Sequence, residues 1–398
     1  MDKAQLVFVP FPVMGHLVSA VEVAKLLLTR DHRLSITVLI LELPLMNSKI
    51  QNYIESVQDS SSSLSNRLRF IDLPKDESEL SNFASFFERQ KANVKEAVLK
   101  ITQSESSVDS PHLQKIHDEE KFDPIQFKEK DTELLVTCLA NPFPARVMPS
   151  GLSNKERLPH LLDSARRFRE VKGIMSNGRN THQEIMQWLD AQPVASVVFL
   201  CFGSMGSFGK DQLKEIACAL EHSGYRFLWS VRRPPPPAKL ASPSDYENPQ
   251  EVLPEGFLER TAAIGKVIGW APQAAILAHP AVGGFVSHCG WNSVLESLWF
   301  GVPIATWPMY AEQQFNAFEM VIELGLAVEI KMEYSEESGM MVNCDEIERG
   351  IRCLMENDSE KRKKVKEMSK KSRMALIEGV SSYYWLGRLV EYVMDNLA

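Results

Sequence analysis

Short apolar runs rich in β-branched residues alternate along this chain with segments whose apolar residues recur every three to four positions, and this alternation dictates the fold class. Residues 6–10 (LVFVP) read as a buried strand; Leu17, Val18, Val21, Ala24, Leu27 and Leu28 follow at helical spacing; residues 35–41 (SITVLIL) and 68–73 are strands again. A helix is predicted over 83–101. Such a rhythm builds a parallel sheet covered by crossover helices. It lapses over 103–149, a polar stretch with a single strand-like run at 133–139, and resumes near Thr181. From there strands are predicted at 196–202 (SVVFLCF), 225–231, 266–268, 284–287, 303–306 and 327–330, with a helix at 211–222. The expectation is two tandem α/β domains, 1–180 and 181–398, with the last helices packing back on the first domain.

Composition narrows the function. With 44% apolar and 24% charged residues the chain is an ordinary globular protein, and a net charge of -8 argues against a nucleic-acid partner. No apolar stretch reaches the roughly 18–20 residues of a membrane span, and the N-terminal apolar run is too short for a secretory signal. Cys138, Cys201, Cys218, Cys289, Cys344 and Cys353 contain no CxxC pair and read as reduced core thiols. The basic run at 361–373 reads as a solvated helix face, and the proline-rich segment 232–250 as an exposed loop. A cytoplasmic, monomeric enzyme acting on small molecules is the expectation.

Residues 270–313 carry the chemistry. Three turns there follow predicted strands, and ligands of parallel sheets bind at the carboxyl ends of strands. The middle turn, His288-Cys289-Gly290-Trp291-Asn292-Ser293, opens a helix whose free N–H groups and dipole favour an anion, with His288, Asn292 and Ser293 adding donors. The same residues also fit a structural role, with His288 closing the strand and Asn292 capping the helix. Trp270, before Ala271 and Pro272, suits stacking on a base while Gln273 or nearby backbone reads a polar edge; packing in the core is the plainer reading of such a ring. Glu296, one turn into the helix, reaches a ribose hydroxyl pair or is simply an exposed charge. Gly203-Ser204 forms a further strand-end turn. His16, beside Gly15 at the end of the first strand, has the pKa of a general base, although a lone histidine is more often structural. No GxGxxG, Walker A, HExxH or GxSxG motif occurs, nor a metal-spaced Cys/His cluster.

The 44 positions from 270 to 313 closely resemble the signature box of plant family-1 UDP-dependent glycosyltransferases, and the likeness extends to FVPFPVMGHL (8–17), FGSMG (202–206) and LPEGFLERT (253–261). It is nearest to the flavonoid and phenolic O-glucosyltransferases. The resemblance implies a GT-B fold, two Rossmann-like domains facing across a cleft, with UDP-glucose as co-substrate, a small hydroxylated acceptor and no metal. It further implies that Trp270 stacks on uracil, Gln273 holds its edge, and Glu296 binds ribose. His288, Asn292, Ser293 and Ser204 would surround the phosphates, Trp291, Glu312 and Gln313 would contact the sugar, Ala271, Gly290 and Tyr310 would belong to the same donor-binding set, and His16 would be the base. Family members also keep an aspartate after a first-domain strand that orients this base. Here 107–114 (SVDSPHLQ) lacks that strand and helix, Asp109 follows no apolar run, and a second gap falls near Met175. The expectation is slower transfer than in a full-length relative, with a non-catalytic UDP-sugar binder as the alternative.

Overall fold

The computed structural model describes residues 4–10, 12, 14–41, 47–60, 66–74, 83–102, 133–134, 143–144, 181–235, 243–332, 341–375, 377 and 381–395. The predicted departures at 107–114 and near Met175 lie outside these residues, as does Cys138.

The first part of the chain runs β1 (Ala4–Phe8), α1 (Met14–Arg30), β2 (Leu34–Ile40), α2 (Asn47–Ser60), β3 (Leu68–Asp72) and α3 (Phe83–Thr102). The strands pair in parallel in the order β1-β2-β3. Every other residue of β2 and the apolar face of α1 meet in one core, where Leu17, Val21, Leu28, Ile36 and Val38 are buried. Of the predicted strand at 133–139, the described part is Glu133–Leu134, which pairs antiparallel with Phe143–Pro144.

The second part contains α4 (Thr181–Asp190), β4 (Val197–Cys201), α5 (Lys210–Ser223), β5 (Arg226–Ser230), α6 (Phe257–Thr261), β6 (Gly265–Ile268), α7 (Gln273–Leu277), β7 (Val282–Ser287), α8 (Trp291–Phe300), β8 (Ile304–Thr306), α9 (Gln313–Phe318) and β9 (Ala327–Glu329). Then follow α10 (Cys344–Met355), α11 (Glu360–Met374) and α12 (Ser381–Asp395). All six strands are parallel, in the order β6-β5-β4-β7-β8-β9. Helices cover both faces, so the central strand β4 (VVFLC) is buried throughout, as a doubly wound sheet requires. Phe199 stacks on Phe285 of β7 at 5.2 Å, and each such fully buried side chain contributes about 1.5–3 kcal/mol.

Helix α12 leaves this second layer and returns to the first. Val390 is buried in the core of α1 and β2, and the Arg30 guanidinium lies 3.6 Å from the ring centre of Tyr383.

Three expectations need correction. Cys218 and Cys344 are joined as a disulfide between α5 and α10, and Cys353 is exposed, so only Cys201 and Cys289 among the described cysteines are buried free thiols. Arg362, within the basic run, is buried because α11 turns it inward to donate to the carbonyls of Gly283 and Leu354. The ends of the proline-rich loop are ordered: Arg232–Arg233 pairs with Ser244–Asp245.

Candidate active site

The strand order reverses between β4 and β7, and an open parallel sheet leaves a crevice at that point, at the carboxyl ends of its strands. The turn after β4 holds Gly203 and Ser204; the turn after β7 holds His288 to Gly290 and leads into α8. Cys289 takes a positive φ of 60°, an uncommon conformation for a residue with a side chain, and Asn316 fixes it by donating from Nδ2 to the Cys289 carbonyl at 2.9 Å. Gly290 stands at the N-cap of α8 and supplies no side chain to its first N–H groups, so the positive end of the helix faces the crevice.

The buried His288 ring is wedged between two glycines. A Cβ at Gly203 would come 2.5 Å from its Nε2, and one at Gly290 would come 2.6 Å from the same atom. Gly203 also has a φ of +74°. Burial pushes the His288 pKa down to about 4, so the imidazole is neutral at physiological pH. Its Nδ1 is buried with no hydrogen-bond partner among the described residues, which suits a group that pairs with an incoming ligand.

On the neighbouring turn Gln273 organises two residues of α8. Its Nε2 donates to Ser293 Oγ and to Glu296 Oε2, each at 2.9 Å. The Gln273 nitrogen is thereby committed, and a base edge would meet its carbonyl oxygen instead. Burial pushes Glu296 up to about 7, with the Gln273 hydrogen bond acting in the opposite direction. Ala271 is buried, and Trp270 is half-buried with the Arg232 guanidinium 5.2 Å from its ring centre, within cation–π range. Arg232 is itself buried and ion-paired with Asp245 at 2.8 Å. Sequence reasoning missed this residue, although its place one residue past a predicted strand was a usable signal.

At the third turn Gln313 is buried, and its amide oxygen accepts from the backbone N–H groups of Met309 (2.9 Å) and Tyr310 (3.1 Å). Any sugar hydroxyl it meets is therefore met by its N–H groups. The Tyr310 ring centre lies 6.5 Å from that of His288, and burial pushes the phenol up to about 12. Trp291 and Glu312 are exposed.

Asn292 joins the two sheets. Its Nδ2 donates to the Gly15 carbonyl at 3.3 Å, so it crosses the cleft rather than capping its own helix. Gly15 precedes His16 in the first turn of α1. The His16 ring keeps solvent exposure, yet surrounding protein lowers its pKa below 6.5, partly offset by the negative charge of Glu312. His16 and Glu312 therefore share an electrostatic environment. A cavity of about 440 Å3 lies apart from all of these residues, between the first sheet and α3, beside Thr37, Ile71 and Ala97.

Comparison with known proteins gives the family and the fold. The family model for UDP-glucoronosyl and UDP-glucosyl transferase matches residues 79–371. The anthocyanidin 3-O-glucosyltransferase 1 of Manihot esculenta is 56% identical over 448 positions, covering 95% of this chain and 99% of the relative. That alignment is longer than the 398 residues available, so at least 50 of its positions are filled only in the relative. Among solved structures, a UGT of Siraitia grosvenorii in complex with UDP superposes with a TM-score of 0.83 at 44% identity, covering 98% of this chain and all of the other. A UGT of Medicago truncatula complexed with UDP-glucose gives 0.76 at 33% identity, with 98% of each chain covered. Matched by that family model over most of its length, and by relatives and solved structures that it covers almost completely, the chain belongs to the plant family-1 UDP-dependent glycosyltransferases and has their GT-B fold.

Proposed function

We propose that this chain is an inverting, UDP-glucose-dependent O-glucosyltransferase whose acceptors are flavonoids or related phenolics. The observation that carries the reading is the Asn292–Gly15 hydrogen bond, which brings the anion-binding turn against the residue before His16. We read residues 181–398 as the donor-binding unit, its last helices packing back on the first part, and residues 1–180 as the acceptor-binding unit, in a cytoplasmic monomer that needs no metal for transfer.

The chemistry follows from the side chains. Trp270 stacks on uracil with Arg232 against its ring, and Glu296 accepts from the ribose hydroxyls. Neutral His16 takes the proton of an acceptor hydroxyl as that oxygen attacks the anomeric carbon. The anomeric carbon–oxygen bond to UDP breaks on the opposite face, inverting the configuration, and UDP leaves with the electron pair. Charge developing on the β-phosphate is met by the N-terminus of α8, an imidazole N–H of His288, and the hydroxyls of Ser293 and Ser204. Several relatives are named as glucosyltransferases of anthocyanidins or flavonoids, and they lend no support to a non-catalytic binder.

The test is turnover with UDP-glucose and a phenolic panel, with product configuration read by NMR. A β-glucoside whose formation is lost in His16→Ala is the expected result. Tight UDP binding without a glucoside from any acceptor would overturn the transfer reading.

A further inference from the structure

The disulfide between α5 and α10 belongs to a larger cluster. Cys218 and His222 stand four residues apart on α5, Cys344 and Glu348 four apart on α10, and this spacing puts each pair on one helix face. The two faces oppose each other, and His222 Nδ1 sits at the centre: 3.9 Å from Cys218 Sγ, 3.6 Å from Cys344 Sγ and 3.7 Å from Glu348 Oε2. Around a tetrahedral zinc ion, with Zn–S of about 2.3 Å and Zn–N of about 2.0–2.1 Å, the nitrogen–sulfur edge is about 3.5 Å. Both nitrogen–sulfur separations lie within a few tenths of an ångström of that edge, and the Glu348 carboxylate stands on the far side of His222 from this three-residue group.

We propose that Cys218, His222 and Cys344 form a zinc site in the reduced protein, with the fourth position taken by water and Glu348 beside His222, and that the disulfide is the oxidised, metal-free state of the same site. Two thiolates and an imidazole are a donor set for zinc rather than for magnesium or calcium. The surroundings are those of a built site. Arg352 binds the other oxygen of Glu348, with Nη2 at 2.7 Å, and donates to the His222 carbonyl at 2.9 Å, holding His222 and the carboxylate beside it in place. Glu215 accepts from the Cys344 backbone N–H at 2.6 Å, fixing the start of α10, and Asn343 with Glu346 completes a capping box there. The His222 side chain is 59% exposed, which leaves an entry path from solvent.

Interconversion is ordinary thiol chemistry. A dithiol reductant attacks one sulfur of the bond, its second thiolate resolves the mixed disulfide, and the products are two cysteine thiols and the oxidised reductant. Zinc then displaces both thiol protons to solvent and binds the thiolates. The site lies on helices flanking the donor sheet and uses none of the residues assigned to transfer, so it does not depend on that assignment.

Anaerobic titration of the reduced, desalted protein with Co2+ alone, followed by Zn2+, tests the proposal. One equivalent of Co2+ should give tetrahedral d–d bands with thiolate charge transfer, and Zn2+ should displace it. Cys344→Ser should lose that spectrum, His222→Gln should bind at least about tenfold more weakly, and Cys353→Ser should match the parent; UDP titration checks that each variant is folded. The oxidised protein should bind no cobalt. A reduced parent without tetrahedral cobalt overturns the proposal, as do unchanged binding in Cys344→Ser or His222→Gln and equal binding by the oxidised protein.

Discussion

Asn292 donates across the cleft to the carbonyl of Gly15, so the turn that opens α8 is hydrogen-bonded to the backbone beside His16. A single neutral hydrogen bond contributes about 0.5–1.5 kcal/mol, up to roughly a tenfold effect. Asn292→Ala should therefore lower kcat by a factor approaching ten, through misalignment of base and donor. Separate determination of kcat and of the KM for each substrate checks this. A kcat within twofold of the parent would show the bond to be incidental.

The glycine wedge around His288 gives a sharper outcome. Gly203→Ala places a Cβ into the imidazole and forces an alanine to a φ of +74°, while Gly290→Ala presents the clash without a positive φ. Both should weaken UDP binding by at least about tenfold, with Gly203→Ala losing more stability in thermal unfolding because the left-handed conformation adds about 1 kcal/mol or more. Equal melting temperatures for the two variants would contradict this account of Gly203.

UDP should bind in EDTA, and loss of base stacking in Trp270→Ala should cost on the order of 1–3 kcal/mol. Glu296, held near 7 by burial, adds a proton signature. Ribose hydroxyls donating to its carboxylate favour the ionised form, so binding below pH 7 should release a proton, and affinity should rise as pH climbs through that value. Calorimetry in two buffers of different ionisation enthalpy reads the release directly. Glu296→Gln should abolish it.

The acid limb of the rate profile belongs to His16. Protonation removes the base, so kcat/KM should fall as pH drops through a pKa below 6.5. The Glu312 charge raises that pKa; deleting it in Glu312→Gln should shift the limb to lower pH, whatever happens to the maximal rate. A shift to higher pH, or none, would disprove the electrostatic link.

Glucose should be preferred over galactose as the transferred sugar. Gln313 has its oxygen fixed by the backbone of Met309 and Tyr310, leaving a directional N–H donor, and a site built on such donors rejects an epimer that leaves them unpaired. Initial rates with the two UDP-sugars decide the matter; a galactose rate at or above that of glucose refutes the assignment.

Period and turn chemistry made much of this fold legible. The run SVVFLCF became the buried centre of the second sheet because only a strand covered on both faces carries so continuous an apolar run. The helix at 211–222 and the turn at 288–293 were readable for similarly local reasons. What escaped were the long-range relationships. Nothing near Asn292 in sequence reveals that its amide reaches residue 15, and Cys218 and Cys344 lie 126 positions apart with no shared motif. Arg362 misled because a charge run gives no sign of which member turns inward to satisfy carbonyls.

The buried Arg232 makes the proline-rich segment a tether of unequal tolerance. Its guanidinium is held by Asp245 and the Ser244 carbonyl and lies against Trp270, so the two ends of the segment form a clasp behind the Trp270 ring. Residues inserted between Pro235 and Pro243 would lengthen the strap without loosening the buckle. Sliding Asp245 by one position would instead leave a buried cation without its counter-charge, and a change in the loop would be felt at Trp270.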